Sequence, residues 1–168
     1  RSIRAAGTYK PHGDYSPEHA GVHRHLWRYV RHNRFPLRHC PSIPDDSIVY
    51  FAKGRAGILA QIPLDEETLW LLGFYVAEGC TARHADRPVV ILSSDTPYLE
   101  KASRILQRLL PGIQPRMVRH AQGWSLRING RSAPYLLHSV LGIPMAKARQ
   151  KRLPDWVLAL PNERLRHV

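Results

Sequence analysis

The sequence predicts an α+β fold in which helices gather on one face of a mainly antiparallel sheet. Three observations lead there. From residue 61 onward the hydrophobic periodicity alternates in the order helix, strand, helix, hairpin, helix. An apolar fraction of 43% over 168 residues is enough for one ordinary domain with a real core. The longest apolar run, Leu69 to Ala77, is far short of the ~20 residues that a membrane span needs, so no membrane partner is expected.

Two regions are expected: a basic N-terminal region, 1–60, and a more regular domain, 61–168. Residues 1 to 16 carry Gly, Pro, Ser and Asp without a period and read as a loop. Ser16-Pro17-Glu18 is a helix start, and Val22, Leu26, Tyr29 and Val30 line one side of a helix running to about Asn33. Pro36, Pro41 and Pro44 break the chain. Ser47 to Ala52 alternates as a strand, and Gly54 to Gly57 reads as a turn.

In the second region, Asp65, Glu66 and Glu67 open a helix where the macrodipole favours acids. Leu69 to Ala77 continues it and Gly79 stops it as a C-cap. Arg87 to Ser94 is a strand. Asp95-Thr96-Pro97 caps a second helix with Leu99, Ile105, Leu106, Leu109 and Leu110 at helical spacing. Gln114 to His120 and Trp124 to Asn129 form a hairpin around Ala121-Gln122-Gly123. A third helix spans Ser132 to Leu141. After a basic loop come a short helix at Pro154 to Leu160 and a further helix near Pro161.

The formal charge is +12, a bias that points to phosphate backbones as partners. The alternative on charge alone is a ribosomal-type RNA binder. No apolar stretch follows the basic N-terminus as in a signal peptide, so an intracellular, cytoplasmic chain is expected, with Cys40 and Cys80 as free thiols. Histidines crowd the front of the chain at 12, 19, 23, 25, 32 and 39, but no second Cys/His pair completes a zinc tetrahedron.

The segment Leu71-Leu72-Gly73-Phe74-Tyr75-Val76-Ala77-Glu78-Gly79 is apolar nearly all round, so burial on most sides is expected. Gly73 and Ala77, four apart, leave room for another helix backbone. Glu78 stands in the last turn, where the dipole disfavours an anion. A divalent cation beside it would explain it. An exposed terminal Glu before a C-cap Gly explains it equally well from the residues alone.

This segment resembles the signature of the LAGLIDADG homing endonucleases, in the form found in inteins and related mobile elements. Leu71, Gly73, Ala77, Glu78 and Gly79 match, and Leu72, Phe74, Tyr75 and Val76 depart where apolar variation is usual. The lead-in from Ile62 to Glu66 is similar too. Lys151-Arg152-Leu153-Pro154-Asp155-Trp156 resembles the family's basic loop, and the residues from Pro161 to Val168 resemble the approach to a second signature helix. The resemblance covers about residues 61 to 168. No cysteine-led splicing block precedes it, so it carries no implication of protein splicing.

The resemblance implies a LAGLIDADG endonuclease-like fold, with the sheet as a saddle in the major groove, and a nuclease making metal-dependent double-strand breaks at a long site. Glu78 would be catalytic and a metal ligand, Gly79 would lend its carbonyl to a Mg²⁺ or Mn²⁺ ion, and Lys151 would support the water or the leaving group. Read from the loop alone, Lys151 is as readily one more phosphate contact. Gly73 and Ala77 would form the helix interface. Ser125, Arg127 and Asn129, alternating with inward Trp124, Leu126 and Ile128, would face double-stranded DNA together with Arg87, Arg116 and Arg119. Lys147, Arg149 and Arg152 would meet phosphates.

One signature motif supplies one acid, and two DNA strands need two. The second is expected from a motif in cis beyond Val168 or from a homodimer copy. The alternative is a LAGLIDADG-like module that binds nucleic acid without cutting it, as an RNA maturase or a DNA-binding regulator does.

Overall fold

The computed structural model describes residues 47–51, 55–84, 87–145 and 150–168, and the backbone of three short N-terminal strands at 2–4, 8–10 and 35–36. The helix expected at 17–33, the six N-terminal histidines, Cys40 and the basic residues Lys147 and Arg149 lie outside the described residues.

The described residues form an α+β structure with antiparallel sheets. The N-terminal strands are β1 (Ser2–Arg4), β2 (Thr8–Lys10) and β3 (Phe35–Pro36). They are followed by β4 (Ile48–Tyr50), β5 (Gly57–Leu59) and β6 (Gln61–Pro63). A four-stranded sheet has the order β3-β2-β4-β5, and β1 pairs with β6. Val49, Ile58 and Ala60 are buried in the same core as the later helices, so apolar packing runs across residue 60.

Helix α1 (Glu66–Glu78) starts because Asp65 caps it, accepting from the Thr68 amide at 2.9 Å, with Glu66 and Glu67 in the first turn. Leu69, Leu71, Leu72 and Tyr75 are buried, whereas Ala77 and Glu78 are exposed. The chain passes directly into a strand the sequence reading did not include, β7 (Gly79–His84). Gly79 is therefore no left-handed cap: its φ is −98° and its ψ 162°, extended backbone. Glycine is needed there for space, since a Cβ would run into the Tyr75 ring and lie 2.7 Å from the Tyr75 carbonyl oxygen.

Strand β8 (Arg87–Ser94), helix α2 (Thr96–Leu109), β9 (Arg116–His120) and β10 (Gly123–Asn129) follow. Asp95 occupies the N-cap position of α2, but its side chain makes no cap bond; its carbonyl accepts from the Tyr98 and Leu99 amides. The hairpin closes at Gly123, whose φ of +136° is open to glycine and costly to other residues. The resulting sheet has the order β7-β8-β10-β9. Its helix-side face carries Val90, Leu92, Leu126 and Ile128, all buried, against Leu99, Ala102, Ile105, Leu106 and Leu109 of α2 and the buried side of α1. Each such leucine contributes roughly 1.5–3 kcal/mol of burial, so this one-sided packing holds the layers together.

The third helix begins as a single α-turn, α3 (Ser132–Pro134), and widens into a π-helical stretch, Tyr135–Val140. Its wider turn shows in the Leu141 amide, which donates to the Leu136 carbonyl at 2.8 Å. Short helices α4 (Asp155–Leu158) and α5 (Asn162–Leu165) end the described chain. No helix among the described residues is long and apolar enough to cross a membrane.

Candidate active site

Helix α1 delivers Glu78 to one end of the sheet, and β7 starts at the next residue. Glu78 is exposed and makes no hydrogen bond or ion pair among the described residues. An unpaired anion at the negative end of a helix dipole is unfavourable in the isolated chain.

Lys151 comes to the same place from 72 residues further along the chain. Its ammonium donates to the Tyr75 carbonyl at 2.9 Å and, at closer range, to the Gly79 carbonyl. It also stands 5.2 Å from the centre of the Tyr75 ring. Two of the three ammonium protons are thus committed to helix-end carbonyls, a C-terminal cap by a cation. Burial pushes the Lys151 pKa below its usual value, while Cys80 and Glu78 act to raise it. Arg152, next in sequence, is exposed.

Behind Lys151 lies a polar trio that sequence reasoning did not single out. The Tyr75 hydroxyl lies 2.8 Å from Thr81 Oγ1, which lies 2.9 Å from His138 Nε2. His138 Nδ1 is 2.9 Å from the Ile143 carbonyl oxygen, which only accepts. Nδ1 therefore donates, and in the tautomer with Nε2 unprotonated the hydroxyls donate in series from Tyr75 to Thr81 to His138. Burial pushes the Tyr75 hydroxyl pKa up against the opposing Thr81 hydrogen bond. The trio anchors the turn whose carbonyls hold Lys151. Its only signals in the sequence were a tyrosine inside an apolar run and a histidine inside a helix, 63 residues apart.

Half-buried Gly73 is approached by the backbone of Val168: a Cβ at this position would collide with the Val168 carbonyl. The backbone that approaches Gly73 is thus not that of a helix, and Ala77, one turn on, stays exposed, so a helix interface at these two residues is not among the contacts of the described chain.

The sheet face away from the helices follows from strand alternation and register. Arg127 lies opposite Arg116 on β9 and Ile91 on β8, and Ser125 lies opposite Val118 and Ser93. Asn129 continues the row on β10, and Arg87 belongs to the same face of β8. Three points correct the sequence reading. Ser125 is only 2% exposed, and its hydroxyl is hydrogen-bonded to His120 Nε2 at 2.7 Å, so it is not a free reader. Arg119 pairs with Trp124 across the hairpin and falls on the helix side, because it stands an odd number of positions, three, beyond Arg116. Trp124 shares the face of Leu126 but is 39% exposed, with the Arg119 guanidinium 5.8 Å from its ring centre: the helices do not reach this end of the hairpin.

The strands β7 to β10 carry five arginines and no acid. The ion pairs among the described residues all lie elsewhere, at Asp65, Glu66 and Glu67 with Arg104, Arg108 and His167. Two clefts of about 520 and 430 Å³ flank the beginning of α1, and neither is lined by Glu78 or Lys151. Glu78 is exposed at this end, and Arg87, Arg116 and Arg127 put cations on the outer face of the sheet that begins there. No family model and no curated protein matches this chain.

Proposed function

We propose that this chain is a site-specific DNA endonuclease of the LAGLIDADG homing type, which makes metal-dependent double-strand breaks at a long recognition site. The observation that carries the reading is the Lys151 ammonium on the Tyr75 and Gly79 carbonyls, next to Glu78. Two stretches that resemble the family, far apart in sequence, meet at one point. The antiparallel sheet β7 to β10, with cations on its outer face, supports its role as half of a saddle on the major groove.

The chemistry follows from the donor set. Glu78 offers an unpaired carboxylate and Gly79 a carbonyl with a lone pair left beside Lys151, both hard oxygens that suit Mg²⁺ or Mn²⁺. They fit half of such a site, since among the described residues no group of three or more His, Cys, Asp or Glu is placed to hold a metal. A second acid would come from a second signature helix, that of a symmetric copy or of another motif. When bound, the ion would activate a water and stabilise the departing oxygen. Lys151, partly desolvated and held by two carbonyls, places a positive charge where the phosphoryl group gains negative charge.

That among the described residues no further acid joins Glu78 in a metal-holding group favours a second reading, a module of this type that binds nucleic acid without cutting it. Mg²⁺-dependent cleavage of a randomised duplex library, comparing the wild type with Glu78→Gln, separates the two. Products lost in the variant, with binding kept, establish the nuclease. Binding without cleavage in both points to half an enzyme missing its second acid or to the second reading, and absence of binding sinks both readings.

A further inference from the structure

We propose that Trp156 is a positioning residue for Lys151: its indole N–H fastens the segment that carries Lys151 to the turn Leu141–Ile143, and His138 fastens that same turn to the helix end on which Lys151 rests. The inference rests on the reading above of Lys151 as the cation that meets the phosphoryl charge. Trp156 Nε1 donates to the Leu141 carbonyl at 2.9 Å. Leu141 closes the π-helical stretch, where helix-end carbonyls lack partners of their own. Two residues on, the Ile143 carbonyl accepts from His138 Nδ1 at 2.9 Å. His138 Nε2 lies 2.9 Å from Thr81 Oγ1, which meets the Tyr75 hydroxyl at 2.8 Å. The Tyr75 carbonyl accepts from Lys151 at 2.9 Å. These contacts close a ring that leaves Lys151 through its ammonium and returns to it through Trp156.

Lys151 needs such a frame because its ammonium sits on a flexible stem, so the placement of its backbone decides whether it reaches the carbonyls. The chain between Lys151 and Trp156 has little freedom. Pro154 is buried with φ −60° and ψ 147°, and a proline holds the residue before it, here Leu153, extended. A Cβ at Gly142 would stand 3.8 Å from Pro154 Cβ and 3.9 Å from Trp156 Nε1, so the turn lies against the segment. Gly142 itself has φ +80°, a conformation costly to other residues. A displacement at Trp156 therefore travels along a stiff link to Lys151. A phenylalanine would supply similar ring packing; what it cannot supply is the N–H.

The test reads the Lys151 amine directly. The chain is treated with a limiting amount of an acetyl N-hydroxysuccinimide ester, and acylation is followed at each lysine by mass spectrometry. The wild type is compared with Trp156→Phe and with Asp65→Ala, which removes the cap at the far end of α1. Trp156→Phe should raise acylation of Lys151 severalfold and leave Lys101, which lies over the Trp70 ring, unchanged. Asp65→Ala should leave Lys151 unchanged, which separates the effect from a general loosening of the fold. In single-turnover cleavage, Trp156→Phe should lower the rate roughly ten- to a hundredfold with DNA affinity kept, since a misplacement of ~1 Å can cost about that much. In the Lys151→Met background it should lower the rate no further, because the two residues act as a unit. Unchanged Lys151 acylation in Trp156→Phe, or rate losses that multiply in the double variant, would make Trp156 a packing residue and overturn the proposal. Should Trp156→Phe fail to fold, as read by circular dichroism, Gly142→Ala displaces the same turn through its positive φ and should expose Lys151 likewise; unchanged acylation there overturns the proposal equally. A wild type that cuts no duplex, with Lys151 acylation still raised in Trp156→Phe, removes the endonuclease reading and leaves the link between Trp156 and Lys151 in place.

Discussion

The two ends of helix α1 treat their acids in opposite ways. At the start, Asp65 caps the Thr68 amide and binds Arg108 at 2.6 Å, Glu67 meets Arg104 at 3.0 Å, and Glu66 faces His167 at 3.2 Å. The dipole favours every one of these anions. At the other end, Glu78 stands where the dipole opposes it, and the cation that arrives there, Lys151, binds backbone carbonyls rather than the carboxylate. The first end is explained by the stability of the fold. The second is not: Glu78 is exposed and makes no hydrogen bond or ion pair among the described residues, and the ligand proposed for it is what the variants below test.

The largest expected effect lies at the second end. Glu78→Gln should reduce cleavage to background and shift the melting free energy by no more than about 0.5 kcal/mol, because the side chain is exposed and unpaired. A large loss of stability in this variant would erase the contrast between the two ends. Lys151→Met should lower the cleavage rate by roughly 10²–10³, the usual cost of one electrostatic donor at a developing charge, measured in single-turnover assays at saturating DNA. Full activity in this variant would leave Lys151 as a helix cap alone.

Smaller effects belong to the first end and to the trio. Asp65→Ala should cost about 1 kcal/mol in denaturant unfolding, as for other N-caps, and leave cleavage intact. For Asp65, burial raises the carboxyl pKa, but the Arg108 and Thr68 hydrogen bonds more than offset this and lower it from 3.8 to about 2. A depressed carboxyl contributes stability that is full above pH 3.8 and is lost as pH falls through about 2. The stability difference between wild type and Asp65→Asn should therefore shrink across that window; a constant gap would place the effect in packing rather than charge. Tyr75→Phe should cost ~0.5–1.5 kcal/mol, while the 2.9 Å bond from Thr81 to His138 preserves most of the cleavage.

What the sequence disclosed follows the strength of its local signals. The acids at the start of α1, the 3.6-residue spacing of α2 and the alternation of β8 and β10 are dictated by side chains a few residues apart, and the structure has them where expected, although the side-chain cap is made by Asp65 and not by Asp95. Strand β7 was missed because Gly79-Cys80-Thr81-Ala82-Arg83-His84 has no apolar alternation; it becomes a strand by pairing with β8 along six residues. Arg119 was misassigned because a strand was read as a list of cations rather than as two faces. Glu78 and Lys151 are singled out by the resemblance, not by spacing, and the structure brings them to the same end of α1. The Tyr75, Thr81 and His138 trio was not legible, since three elements must close on one another before it exists.

The π-helical stretch at Tyr135–Val140 sets the angular position of His138. An α-helix advances ~100° per residue, and a wide turn of this kind absorbs one residue more than an α-turn would. Deleting a single residue ahead of His138 would let the segment relax to ordinary helix and swing the imidazole by about a quarter turn or more, away from Thr81. The bond from His138 Nε2 to Thr81 at 2.9 Å is thus bought with an irregular helix, and the register of that helix, rather than any one side chain, is the adjustment screw of the polar trio.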